Sequence, residues 1–349
     1  MGLYLPSGYL DFNWLLSRPL TWELITGGRG TGKSYGALTA AVDRGEKFIY
    51  LRRTQSQCDI ISKPDFSPFK VINRDRSGEP EIVPYSLSKY TSGFYRTEVT
   101  EAGKLQAVGE PIGYAAALST FSNVRGFDAS DVTLIIYDEF IPEKHERPIK
   151  NEFDALANAY ETVNRNRELN GQRPVRLLGL SNSNDISNAV FVGLDLVSRA
   201  VRMVKKQTEV YEDMRRGIGL YMPFSSPISK RKAETALYHM TEGSGFAEMA
   251  LDNSFVDDRT STIIKSMPLK ELTPLVRIGE LCIYRVKGNE FYYASTHSAG
   301  SVPEYLMTST DIMRFRRTYA WVSLAYLDRL IICEDYLAET LIKKIFDIT

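Results

Sequence analysis

The sequence predicts an α/β fold: a parallel sheet with helices on both faces, a helical linker, and a second, smaller α/β domain. Three observations predict it. A glycine-rich turn at 27–34 lies between a short strand and a helix, an apolar strand at 133–137 ends in two acids, and an antiparallel pattern begins near residue 259. In order, 24–26 reads as a strand and 34–44 as a helix closed by Gly45. A second strand at 48–51 ends at Arg52 and Arg53, and 59–84, rich in Pro, Asp, Ser and Arg, reads as irregular. The strand at 133–137 is apolar throughout, as in the middle of a parallel sheet. A helix over 151–168 and a buried strand over 175–180 follow, then the polar loop 181–184. Residues 205–258 are charged and broken, with Lys205-Lys206, Arg215-Arg216 and Lys230-Arg231-Lys232, and read as a small helical linker. Beyond it come strands at 275–278, 281–286 and 291–295, a helix at 310–327, a strand at 330–333 and a helix at 336–346, an RNase H-like succession. The expected domains are therefore 1–204, 205–258 and 259–349.

Composition narrows the class. Hydrophobic residues are 43% and charged residues 25% of 349, as in an ordinary globular chain. Bases and acids balance at 43 each, which argues against permanent residence on nucleic acid and for transient gripping or charge confined to one face. Cys58, Cys282 and Cys333 form neither a CxxC pair nor a secreted framework, so a reducing cytosol is expected. The first residues lack the basic start of a signal peptide, and no apolar run approaches the ~20 residues needed to cross a bilayer.

Gly27-Gly28-Arg29-Gly30-Thr31-Gly32-Lys33-Ser34 has the phosphate-loop pattern G-x-x-x-x-G-K-[ST]. Its glycines let backbone N–H groups turn inward around phosphates, Lys33 would reach the β- and γ-phosphates of ATP, and Ser34 would ligate Mg²⁺. Asp138 and Glu139, at the end of the apolar strand, would hold Mg²⁺ and activate the attacking water. That acid pair suits water attack better than phosphoryl transfer to a small molecule. Arg29 lies inside the loop, where it faces the nucleotide, a neighbouring subunit or solvent. Arg125 and Arg165 are the candidates for an arginine supplied to a neighbour's phosphate, against the alternative of ordinary loop or helix-end ion pairs. Ser181 and Asn182, after the 175–180 strand, suit a sensor of the γ-phosphate or, equally, a strand-to-loop cap.

GGRGTGKSY at 27–35, FIYLRRT at 48–54, YDEFIPEK at 137–144, NEFDALANAYETVNRNRE at 151–168, LSNSND at 180–185 and GFAEMALDNSFVDD at 245–258 together carry a resemblance. The chain resembles the DNA-packaging ATPases of phi29-type tailed phages, small relatives of the large terminases within the additional-strand, conserved-Glu (ASCE) class of P-loop ring ATPases. The resemblance implies the ATP and Mg²⁺ roles above, with Arg165 as the trans-acting finger and Arg125 as a basic residue acting across the subunit interface. It also implies a homomeric ring, a pentamer in the family, that moves double-stranded DNA in the host cytoplasm while attached to the portal of a prohead. In one branch a structural RNA lies between. Arg52, Arg53 and Lys63 are the candidate DNA contacts, through phosphates rather than bases. The alternatives are a terminase that also cuts DNA and a capsid-docking protein whose ATP site serves assembly. Cutting needs a carboxylate cluster on the last domain. There the first strand carries Arg277 and no Asp, and Glu334-Asp335 stand alone, so a vestigial nuclease fold is expected.

Overall fold

The apolar runs near 24, 48, 134 and 177 become adjacent strands of one sheet. The computed structural model describes residues 2–124, 128–143, 146, 149–183, 186, 188–224, 226–241, 267–297 and 300–347. The chain divides into two units, Met1–Asn184 with Met203–Val256, and Asp185–Arg202 with Asp257–Thr349. Residues 185–202, expected in the first domain, thus group with the C-terminal part.

The first unit is built on β1 (Trp22–Thr26), β2 (Phe48–Arg52), β3 (Ile82–Ser86), β4 (Ser92–Val99), β5 (Leu105–Ala117), β6 (Leu134–Asp138), β7 (Arg176–Ser181), β8 (Val210–Asp213) and β9 (Ile218–Tyr221). They form one nine-stranded sheet in the order β3-β4-β5-β2-β6-β7-β1-β9-β8. The run β5-β2-β6-β7-β1-β9 is parallel, and antiparallel pairs extend it at both edges. All five residues of β6 are buried, which explains why that segment carries no alternation. The register sets the ends level: Thr26 lies opposite Ser181, and Asp138 opposite Leu180.

Helices α1 (Phe12–Leu15), α2 (Lys33–Asp43), α3 (Gln55–Ile61), α4 (Phe69–Asp75) and α5 (Glu152–Asn164) belong to this unit. Helix α2 buries Ala37, Leu38, Ala40 and Ala41 in the core that it shares with β1, β2 and β6. The stretch 59–84 is more ordered than its composition suggests. Thr54 and Gln57 form a reciprocal capping box that starts α3. Phe69 and Ile72, three apart, put one face of α4 into the core, where the Phe69 ring meets Phe94 at 5.0 Å. Gly113 admits the Phe48 ring beside it, because a Cβ there would lie 2.5 Å from the ring.

Helices α6 (Ala189–Gly193) and α7 (Val197–Lys206) follow β7. The expected helical linker then needs correction. Residues 210–221 form the hairpin β8-β9 around Gly217 (φ +66°), and β9 joins β1, burying Leu220 and Tyr221. Within the rest of that expected linker, only α8 (Pro227–Ala233) and α9 (Ala236–Met240) are helical among the described residues. The GFAEMALDNSFVDD segment lies outside the described residues.

The second unit carries β10 (Leu272–Ile278), β11 (Leu281–Val286), β12 (Tyr292–Ser295), β13 (Glu304–Tyr305) and β14 (Ile331–Cys333), in the order β13-β10-β11-β12-β14. The first three are antiparallel, while β13 and β14 run parallel to β10 and β12. The helix expected over 310–327 is two helices, Ser309–Thr318 and Ala320–Leu327, broken at Tyr319 where the backbone leaves helical values. Its ring stacks on the buried Phe315 at 5.0 Å. A closing helix, Tyr336–Phe346, buries Ala338, Ile342 and Ile345 in the same core.

Candidate functional site

The loop between β1 and α2 curls because Gly30 and Gly32 adopt φ of +71° and +81°, values that a Cβ disfavours. Thr31 is buried inside the curl and its hydroxyl donates to the Gly28 carbonyl at 3.1 Å. Lys33, the first residue of α2, is 9% exposed. Its ammonium donates to the carbonyls of Gly27 (2.9 Å) and Gly28 (2.8 Å) and to Asn182 Oδ1 (3.2 Å). Burial pushes the Lys33 pKa down to about 7; Asp138 opposes the shift, and Lys232 and Arg29 add to it by repulsion.

Strand β6 delivers Asp138 to the same place. Ser34 Oγ donates to Asp138 Oδ2 at 2.7 Å. The same carboxylate oxygen accepts from the Tyr50 hydroxyl and from Arg52 Nη1, the latter at 3.2 Å. Glu139 breaks the strand with φ +60°, a left-handed value that non-glycine residues seldom adopt. Its carboxylate is paired with Arg52. Partial burial pushes the Glu139 pKa up, against the pull of Arg52. A hydroxyl and a carboxylate held together are hard oxygen donors, so Ser34 and Asp138 suit Mg²⁺.

Strand β7 ends between these two groups. Ser181 is buried, and its hydroxyl accepts from the Ile141 N–H at 3.2 Å, tying the strand to the chain beyond Glu139. Asn182 instead meets the Lys33 ammonium. Of the two sensor candidates, one side chain braces the loop and the other faces the phosphate lysine. Arg29 turns to Glu143, with both side chains near 40% exposed.

The remaining candidates separate. Arg165 follows α5, which leaves the Asp138 end and runs back along the sheet. It lies just past the last helical turn with φ +48° and is exposed. Arg167, two residues on, donates to the carbonyls of Ala129 and Ser130 at 3.1 and 2.7 Å. Helix α5 has 13 residues, so Arg165 stands about 20 Å from the helix start beside its own site. Arg125 lies outside the described residues.

Two DNA-contact candidates need correction. Arg52 sits between Asp138 and Glu139 with a side chain 12% exposed. Arg53 is fully buried, donating to both oxygens of Glu152 at 2.8 and 2.9 Å and to Glu146 at 3.0 Å. A guanidinium enclosed by two carboxylates cannot reach a DNA phosphate. Lys63 remains exposed. Sequence reasoning missed Tyr50 and Arg52 as site residues. The available signal was strand pairing, since β2 lies beside β6 and Leu51 opposite Tyr137 brings Arg52 level with Asp138.

One strand, β7, separates the phosphate-loop strand β1 from the acid-bearing strand β6, and Lys33, Ser34, Asp138, Glu139 and Asn182 gather where these strands end. Fold and site together define a P-loop NTPase of the additional-strand class. The profile of the podovirus DNA encapsidation protein (Gp16) family matches residues 82–313, and the chain belongs to that family. It is 29% identical over 317 residues to the DNA packaging protein of Bacillus phage phi29, covering 88% of this chain and 83% of the relative. It is 31% identical to the DNA packaging protein of Bacillus phage B103, over 85% of each. Among solved structures, a chain of the bacteriophage phi-29 viral genome packaging motor assembly matches with a TM-score of 0.61 and 23% identity over 99% of both chains. The Phi-28 gp11 DNA packaging motor matches with a TM-score of 0.59 and 17% identity over 97% of both.

Proposed function

We propose that this chain is an ATP-driven motor that moves double-stranded DNA into a phage prohead as a homomeric ring. The observation that carries the reading is the meeting of Lys33, Ser34, Asp138, Glu139 and Asn182 at the ends of β1, β6 and β7 in a member of a DNA encapsidation family. Loop 27–32 would wrap the phosphates with its N–H groups, and Lys33 would exchange its carbonyl partners for phosphate oxygens. Ser34 and Asp138 would hold Mg²⁺, which when bound neutralises developing charge on the phosphates. Glu139 would accept the proton of the attacking water once Arg52 gives up its carboxylate. Asn182, touching Lys33, is placed to register loss of the γ-phosphate. Arg165 would complete the site of an adjacent copy, with Arg125 as the second candidate for that role.

The same reading takes the second unit as a docking domain rather than a nuclease. Supporting it, the two acids of the last strand end are already committed. Glu334 accepts from the Ser295 hydroxyl and pairs with His297 at 2.9 Å, while Asp335 caps the closing helix through the N–H groups of Leu337 and Ala338. On β10, Arg277 pairs with Glu304 at 3.6 Å where a metal-binding acid would be needed.

The test is ATP hydrolysis by the full chain with and without linear double-stranded DNA. DNA should stimulate turnover. Lys33→Ala should abolish nucleotide binding or turnover. Glu139→Gln should bind Mg-ATP yet hydrolyse it at least about a hundredfold more slowly, because an amide cannot take the proton. Wild-type turnover in Lys33→Ala would remove the reading, and nucleotide binding without DNA stimulation would favour the assembly-only alternative.

A further inference from the structure

Helix α8 approaches the outer side of the phosphate loop in a way that the charge run Lys230-Arg231-Lys232 did not reveal. The helix is anchored on the N-terminal segment: a Cβ on Gly8 would lie 3.0 Å from Pro227 and 3.1 Å from the Ile228 nitrogen. Ile228 and Ser229 are buried beneath it. This seating aims Lys232 at the loop. Its ammonium donates to the Arg29 carbonyl, and a Cβ at Gly30 would lie 2.6 Å from Lys232 Nζ. The Tyr238 ring lies 5.4 Å from the same nitrogen.

Three cationic side chains, Arg29, Lys33 and Lys232, therefore converge on one eight-residue motif. Arg29 has a carboxylate partner in Glu143. Lys33 and Lys232 are held by neutral groups, loop carbonyls, an amide oxygen and an aromatic face. Like charges gathered around neutral partners raise the local potential and suit a multiply charged anion. An ammonium has three N–H groups, and one on the Arg29 carbonyl leaves it able to bridge the loop and a phosphate oxygen.

We propose that Lys232 is a second phosphate-binding lysine of the nucleotide site, reaching the β- or γ-phosphate of a bound nucleoside triphosphate from α8. This rests on reading 27–34 as the ATP site. It makes α8 a sensor of the polyphosphate within the same subunit: nucleotide would tie the helix to the loop through charge, and loss of phosphate would loosen that tie.

The test uses the full chain, with Lys232→Met, which keeps the aliphatic stem, and Lys232→Arg, which keeps the charge. Affinities for ATP, ADP and AMP are measured by calorimetry, and melting temperature is measured with and without nucleotide. Lys232→Met should weaken ATP at least about tenfold, the scale of one charge-assisted hydrogen bond, and AMP less than about threefold. Lys232→Arg should restore most of the ATP affinity, and the nucleotide-free melting temperature should hold. Equal losses for ATP and AMP, unchanged ATP affinity, or a lower nucleotide-free melting temperature with an undiminished ATP-induced rise would overturn the proposal and leave Lys232 a prop for the loop. Should the Met variant misfold, amine acylation of the wild-type chain read by mass spectrometry decides: ATP should protect Lys232 and AMP should not. Absence of ATP binding by the wild-type chain would instead remove the ATP reading itself.

Discussion

Arg52 and Arg53 are neighbours with opposite fates: Arg52 ends β2, and Arg53 lies just beyond it, where the chain bends. Arg52 meets Asp138 and Glu139, while Arg53 turns into a buried network with Glu152, Glu146 and the Tyr137 hydroxyl, which donates to Glu152 at 2.7 Å. A basic pair at a strand end looks like a solvated DNA contact in sequence because burial of a charge leaves no local mark. The partners of Arg53 are about a hundred residues away and come from α5 and the preceding loop. Removing one side of a buried ion pair leaves the other charge uncompensated, typically costing about 3–5 kcal/mol. Arg53→Met should therefore lower the unfolding free energy of the first unit, read by urea titration, by that order, and the double change Arg53→Met with Glu152→Gln should recover part of it. Wild-type stability in Arg53→Met, together with weakened DNA binding, would reverse the assignment. By contrast, the meeting of Ser34 with Asp138 was expected from two local patterns, a glycine-rich turn and an apolar strand that ends in acids.

At the scale of elements, helix α5 links the two ends of the sheet. It starts beside the acid pair, with Glu152 gripped by Arg53, and closes with Asn164 Oδ1 accepting from the Val175 N–H at the entry to β7. Both ends of the helix are thus fixed by side chains, and Arg165 leaves it in a defined left-handed backbone position. If Arg165 serves a neighbour, Arg165→Ala should bind ATP nearly normally and turn over poorly. Mixed with Lys33→Ala, it should regain hydrolysis that neither variant shows alone, because some interfaces then pair an intact arginine with an intact pocket. No recovery in mixtures shown to co-assemble would confine Arg165 to its own subunit, and Arg125 would be tested next in the same way. The sequence anticipated the strands β1, β2, β6 and β7 because each centres on a short apolar run. It did not anticipate α3, α4 or the hairpin β8-β9, because their short apolar faces are diluted by charged and turn residues. Their order comes from partners distant in sequence, Phe94 for α4 and β1 for β9.

Across the whole molecule, the two sheets differ at their strand ends. The first gathers the proposed nucleotide site at the ends of its parallel strands, where such sheets generally place ligands. The second presents acids that are tied up in caps and pairs. A nuclease assay of the full chain with manganese should accordingly show no metal-dependent cutting. Cutting lost in Glu334→Ala or Asp335→Ala would mean that those contacts open to admit metal. The succession of strands and helices in this second sheet was legible from alternation and turns. The grouping of 185–202 with the C-terminal unit was not, since nothing in the local pattern points to it.

The separation of Arg165 from the start of α5 has, under the proposed role, a consequence for timing in the host cell. Under the proposed trans-acting role, a lone subunit would carry both halves of the reaction without bringing them together, since the arginine stands about 20 Å from the start of α5. With Arg165 as the trans-acting group, the catalytic unit is the seam between two copies, and the reaction rate should climb more steeply than in proportion to protein concentration until rings are complete. Free copies made before any capsid is ready would then leave the cell's nucleotide pool undisturbed. Burning of fuel would begin only when subunits are gathered where DNA is to enter.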